Sequence, residues 1–166
     1  GRQSHVDYAN LVFDVRQVDK RRYHFLTGNV TEADLGAQGP FDVVLCLGLL
    51  YHINNPIDLI GNIAQVNKDI LVIDTGLSPG RGSSLEVVRE DLADPRNAVD
   101  CELVTRPTRQ AVVDIVRHFK YSVVVLKPNF HSYNGMENYK LGDRRAFLCA
   151  KHADLSSLSV PIEPFR

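Results

Sequence analysis

A chain of 166 residues with 44% hydrophobic and 23% charged residues has the makeup of one globular domain, long enough to bury about two-thirds of its unfolded surface around a single core. Its net charge of −1 excludes any bulk attraction to polyanions, so a nucleic acid or an anionic lipid would need a local basic patch. Cys46, Cys101 and Cys149 show no C-x-x-C spacing, and the six histidines show no pair at metal-ligand spacing; a reducing compartment and no metal are expected.

In chain order, Ser4 is a plausible N-cap for a helix over Ser4 to Gln17, with Val6, Ala9 and Phe13 at near-helical spacing. A charged connection, Val18 to Arg22, leads to a short strand over Tyr23 to Thr27, ended by Gly28-Asn29. Thr31 to Gly39 reads as a short helix or loop. Val43 to Leu47 is an unbroken apolar run closed by Gly48, the pattern of a central strand buried on both faces. Behind it the polar groups Tyr51, His52, Asn54 and Asn55 crowd together, and Pro56 with Asp58 opens a helix reaching about Asn67.

Asp69 to Thr75 is the next buried strand. Gly76 to Ser84 is glycine-rich but lacks the Gly-Lys-Ser/Thr ending of a phosphate loop, and reads as a surface connection. Leu85 to Arg106 looks like an insertion over the sheet's carboxyl edge, with strand character over Cys101 to Val104. Pro107-Thr108 starts a helix that places Ala111, Val112, Ile115, Val116 and Phe119 on one face. Tyr121 to Leu126 and Arg145 to Ala150 are strands, and the link Pro128 to Lys140 is longer than a hairpin needs, which points to a functional loop. Residues 1–152 form the domain, and Asp154 to Arg166 is expected to be a frayed tail. This order gives an α/β fold, a mostly parallel sheet with an antiparallel C-terminal hairpin.

The stretch Phe41-Asp-Val-Val-Leu-Cys-Leu-Gly-Leu-Leu-Tyr-His-x-x-x-Pro56 resembles the fourth-strand motif of class I S-adenosylmethionine-dependent methyltransferases. Its Gly-Leu-Leu-Tyr-His part is most similar to the branch that includes tRNA wobble-uridine modifying enzymes. The resemblance covers roughly Ser4 to His152, and implies a Rossmann-like fold and S-adenosylmethionine as cofactor. The family's Gly-x-Gly-x-Gly loop and the acidic residue ending its second strand do not occur, which implies a partial domain with the first two strands missing. Such a chain is expected to bind the cofactor poorly by itself and to associate through an exposed sheet edge.

The resemblance assigns Asn29 and Val30 to the adenine, Cys46 and Leu47 to the neighbourhood of the sulfur, and Tyr51 to the amino-acid end. His52 is the one plausible general base near that site, although a histidine opening a turn is more often structural. His131 and Tyr133 could line an acceptor pocket. The acceptor is a small molecule or RNA; the basic clusters Lys20-Arg21-Arg22 and Arg144-Arg145 lend RNA only weak support. A competing reading is a catalytically silent α/β module that mediates association. No apolar stretch approaches the ~20 residues of a membrane span and no signal-peptide core opens the chain, so the cytoplasm is the expected location.

Overall fold

The structure, a computed structural model, describes residues 2–99 and 101–164, and divides into two compact units, Gly1–Asp34 and Leu35–Arg166. In the first unit, helix α1 (Gln3–Val15) starts one residue before the expected cap: Arg2 occupies the N-cap position and makes no side-chain capping bond. The helix ends where Gln17 turns to φ 55° and the Val18 amide reaches back to the Phe13 carbonyl, a tight C-terminal closure. Tyr23 to Thr27 is not a strand. Tyr23 and Phe25 instead pack on Phe13 of α1 with ring centroids 4.7 and 5.0 Å away, and no ladder forms. Alternation gave that segment its strand signal, but a strand exists only by pairing.

The second unit is built on a five-stranded sheet of order β1-β2-β6-β5-β7. Its strands are β1 (Phe41–Leu47), β2 (Asn67–Gly76), β5 (Ser122–Leu126), β6 (Arg144–Ala150) and β7 (Ile162–Glu163). β1 and β2 pair in parallel, and β6 runs antiparallel between β2 and β5, so the sheet is mixed, with β1, β2 and β5 pointing the same way. Helix α2 (Pro56–Val66) links β1 to β2, and helix α3 (Arg109–His118) precedes β5. Proline at the first helical position and the Asn55 carboxamide accepting from the Asp58 amide define the start of α2.

The core lies on one face of this sheet. Cys46, Leu71, Ile73, Cys149, Phe147, Val123 and Val125 are in register across it, and Leu59, Ile60, Ile63, Val112, Val113 and Val116 of the two helices are buried with them. The expected central strand is at the edge instead. Phe41, Val43, Leu45 and Leu47 alternate onto one face and remain exposed there, and β1 has a ladder partner on one side only. The apolar run predicted two covered faces, and the structure covers one.

The insertion forms a separate antiparallel pair, β3 (Leu85–Arg89) with β4 (Leu103–Pro107), so strand structure begins two residues later than Cys101 and takes in Leu85 to Arg89 as well. The link before β6 contains a short helix, α4 (Glu137–Leu141). The tail is not frayed as far as Pro164: Leu155 is buried, β7 pairs with β5, and Glu163 forms ion pairs with Arg145 and Arg109. Its last two residues lie outside the described ones. No helix among the described residues is long and apolar enough to cross a membrane, and all three cysteines are free.

Candidate active site

Two backbone features open a cleft at the carboxyl end of β1 and β2. Gly48 turns the chain out of β1 at φ +66°, where a Cβ would lie 3.4 Å from the Arg144 guanidinium, and the Tyr51 ring lies against Gly76, where a Cβ would meet it at 3.3 Å. Between them is a cleft of about 310 Å³ lined by Tyr51, Gly76, Leu77, Arg106, Asn138 and Arg144, among others. Clefts at strand carboxyl ends are where open α/β sheets bind ligands.

A charged cluster forms one wall. Asp74, buried near the end of β2, accepts from Arg144 Nε at 2.6 Å, while its other oxygen accepts from the Tyr139 hydroxyl. Arg144 also donates from Nη1 to the Tyr51 hydroxyl at 3.3 Å, and its guanidinium lies 5.7 Å from the Tyr51 ring centroid. Burial pulls the Arg144 guanidinium downward, but the hydrogen bond and charge of Asp74 outweigh it and hold the group above its ordinary value. Tyr139 is raised by burial first and by Asp74 second, so its hydroxyl keeps its proton. The cluster is a fixed dipolar wall.

Beside it, the His52 ring stacks on Tyr51 at 4.0 Å between centroids, and His52 Nδ1 is 2.7 Å from Glu90 Oε1. Glu90 is itself buried, and its second oxygen accepts from the Ala98 amide at 2.9 Å. A Nδ1–H directed at this carboxylate leaves Nε2 as the basic nitrogen, and that tautomer is what the pairing favours.

The sequence-predicted residues fall in several places. Tyr51 lines the cleft, His52 is next to it, and Leu47 is exposed at the end of β1. Cys46 turns its side chain into the core, where burial pushes its thiol up to about 12, so only its backbone remains for a ligand. Asn29 and Val30 belong to the first unit, where the Asn29 side-chain oxygen accepts from the Thr31 amide and hydroxyl. His131 is exposed, and Tyr133 donates to the Pro128 carbonyl; the same link instead sends Asn138 to the cleft and Tyr139 to its wall. The basic clusters are internally engaged: Lys20 with Asp14, Arg21 with Asp19, Arg144 with Asp74 and Arg145 with Glu163.

Sequence reasoning missed Asp74, Glu90, Arg106, Tyr139 and Arg144. Asp74 carried a signal, an acidic residue closing the apolar run Ile70 to Ile73 at a strand's carboxyl end, Tyr139 falls in the link Pro128 to Lys140 whose length marked it as functional, and Arg144 stood out only as part of a basic cluster. Among the described residues no three His, Cys, Asp or Glu side chains come together as a metal-holding group.

No protein-family model matches the chain, and no curated protein matches it in sequence. Solved structures do. The N-terminal domain of EvdMO1 with S-adenosylhomocysteine bound superposes with a TM-score of 0.69 at 22% identity, over 93% of this chain and 63% of that one. The O-methyltransferase of a trans-AT polyketide synthase multienzyme of Brevibacillus brevis, in complex with S-adenosylhomocysteine, gives 0.58 at 12% identity, over 90% of this chain and 55% of that one. An O-methyltransferase family protein from Burkholderia thailandensis gives 0.56 at 17% identity, over 87% and 40%. The chain thus spans less than two thirds of the length of each. At such identities the likeness speaks of architecture, and the architecture of this chain is the α/β fold of the S-adenosylmethionine-dependent methyltransferases.

Proposed function

We propose that the chain serves S-adenosylmethionine-dependent methyl transfer to a small-molecule or RNA acceptor. The observation that carries this reading is the carboxyl end of β1, where Leu47 is exposed, Gly48 is left-handed, and Tyr51 behind it lines the adjoining cleft. The residues fit the cofactor: Leu47 offers an apolar surface, Tyr51 a hydroxyl at a cationic wall, and the backbone at Cys46 its polar groups. Asn29 and Val30 are proposed for the adenine, His131 and Tyr133 for the acceptor side.

When bound, S-adenosylmethionine supplies an electrophilic methyl and departs as a neutral thioether, so the protein's part is mostly positioning. Leu47 excludes water from one side, and the Asp74–Arg144–Tyr139 wall fixes the orientation of Tyr51. His52 takes the acceptor's proton at Nε2, with Nδ1–H held by Glu90. The free cysteines favour a reducing compartment, for which the cytoplasm is proposed.

The bare apolar edge of β1 favours one other reading, a silent module that associates with another chain. Calorimetric titration of the intact protein with S-adenosylhomocysteine separates the two. Binding is expected, weakened at least ten-fold, or about 1.4 kcal/mol, by Leu47→Arg. Equal affinity in both proteins places the site elsewhere, and binding by neither favours association.

A further inference from the structure

We propose that the cleft takes an acceptor bearing a carboxylate, held by Arg106; this rests on the methyltransferase reading and narrows it to small acidic molecules. Arg106, on β4, lines the cleft; its side chain makes no hydrogen bond or ion pair among the described residues, and its Nε is buried without an acceptor. A guanidinium N–H withdrawn from water and left unpaired is costly, and folded chains seldom keep one without a use.

The nearby acids do not relieve it. Glu86, directly opposite Arg106 in the β3–β4 ladder, is engaged by the Ser78 hydroxyl at 2.6 Å, and Asp143, which shares the cleft, forms no ion pair among the described residues. Nor is Arg144 a competing anion site, since Asp74 already occupies its fork. Arg106 is thus the guanidinium lining the cleft that is left for a ligand. Nε is buried behind the cleft, and the two Nη groups of the guanidinium form a planar fork that matches the two oxygens of a carboxylate. A cleft of about 310 Å³ is at the small end of ligand sites, the size of a single-ring or short-chain acid and too small for a stretch of polymer.

Benzoate and its uncharged counterpart benzamide are suitable probes, titrated by NMR into the intact wild-type protein, Arg106→Gln and Arg81→Gln. The last makes the same charge change on an exposed loop. Millimolar benzoate binding is expected for wild type and Arg81→Gln, with benzamide at least ten-fold weaker and benzoate at least ten-fold weaker in Arg106→Gln. The proposal is overturned if wild type does not bind benzoate, if it binds benzamide equally well, or if Arg106→Gln binds benzoate as wild type does. S-adenosylhomocysteine titrations on the same samples keep the two readings apart. Wild type that binds S-adenosylhomocysteine but not benzoate loses only this inference, and wild type that binds benzoate but not S-adenosylhomocysteine loses the methyltransferase reading. Retained S-adenosylhomocysteine binding in Arg106→Gln shows that any loss of benzoate comes from the guanidinium and not from unfolding.

Discussion

Cys46 and Cys149 stand in the same apolar layer, on strands flanking β2, and burial pushes both thiols up to about 12 from an ordinary 9.0. Above pH 9 the unfolded chain releases thiol protons that the folded chain retains, so the unfolded state binds fewer protons and stability falls as pH rises. The stability associated with the neutral thiols is whole below pH 9 and is lost between 9 and about 12, at up to about 1.4 kcal/mol per pH unit for each thiol. Urea unfolding followed from pH 8 to 11 should show this decline. Cys149→Ala should be less stable at neutral pH yet lose stability more slowly with alkali, and an unchanged slope would assign the decline to other groups. Tyr51 was legible because polar residues crowding behind an apolar strand mark a sheet's ligand-binding end. Arg106 and Glu90 were not legible: in a stretch of mixed charge each looks like its neighbours, and only the fold buries one against a cleft and the other under His52.

One buried hydroxyl ties the loop that enters the insertion to the start of α3. Thr108, fully buried, caps α3 by accepting from the Ala111 amide at 3.2 Å, accepts from the Ser84 amide at 3.1 Å and donates to the Gly82 carbonyl at 2.6 Å. Thr108→Ala should cost about 2–4 kcal/mol, a lost cap together with buried groups left unpaired, whereas Thr108→Ser should cost about 1 kcal/mol or less. Chemical denaturation of the two variants checks the difference, and similar losses would show that the methyl group matters more than the hydroxyl. The sequence marked Pro107-Thr108 as a helix start, because the signal is local. Periodicity likewise located α2, β2, β5 and β6 to within two residues or so at most ends. It failed at Tyr23 to Thr27 and at the tail, where pairing, or its absence, decides between strand and coil and no nearby residue reports it.

Over the whole molecule, the order β1-β2-β6-β5 and the one-sided core leave a seven-residue strand, apolar but for Asp42, at an open edge. Lysine, proline or a covering segment normally guards such an edge. The 166-residue chain should therefore associate with itself as concentration rises through the micromolar range, and Leu45→Lys, at a position 61% exposed, should restore a monomer. Sedimentation velocity reads both, and a wild-type monomer at every concentration would sink the idea. The fold class was legible from the order of elements, but the exposure of β1 was not, since the run Val43 to Leu47 reads the same whether one face is covered or both.

Asn67 is 3% exposed where the β1–β2 register shifts between Phe41 and Val43. Its Nδ2 donates to the carbonyls of Phe41, Asp42 and Ile70, and its Oδ1 accepts from the Tyr121 hydroxyl at 2.8 Å. An aspartate of the same shape would have no proton to donate and would set a negative charge against three carbonyl oxygens. Hydrolysis of this one side-chain amide, the ordinary chemical ageing of asparagine, would strike where the two strands are held in step. Burial of a single carboxamide thereby keeps the two strands in step and shields that amide from hydrolysis.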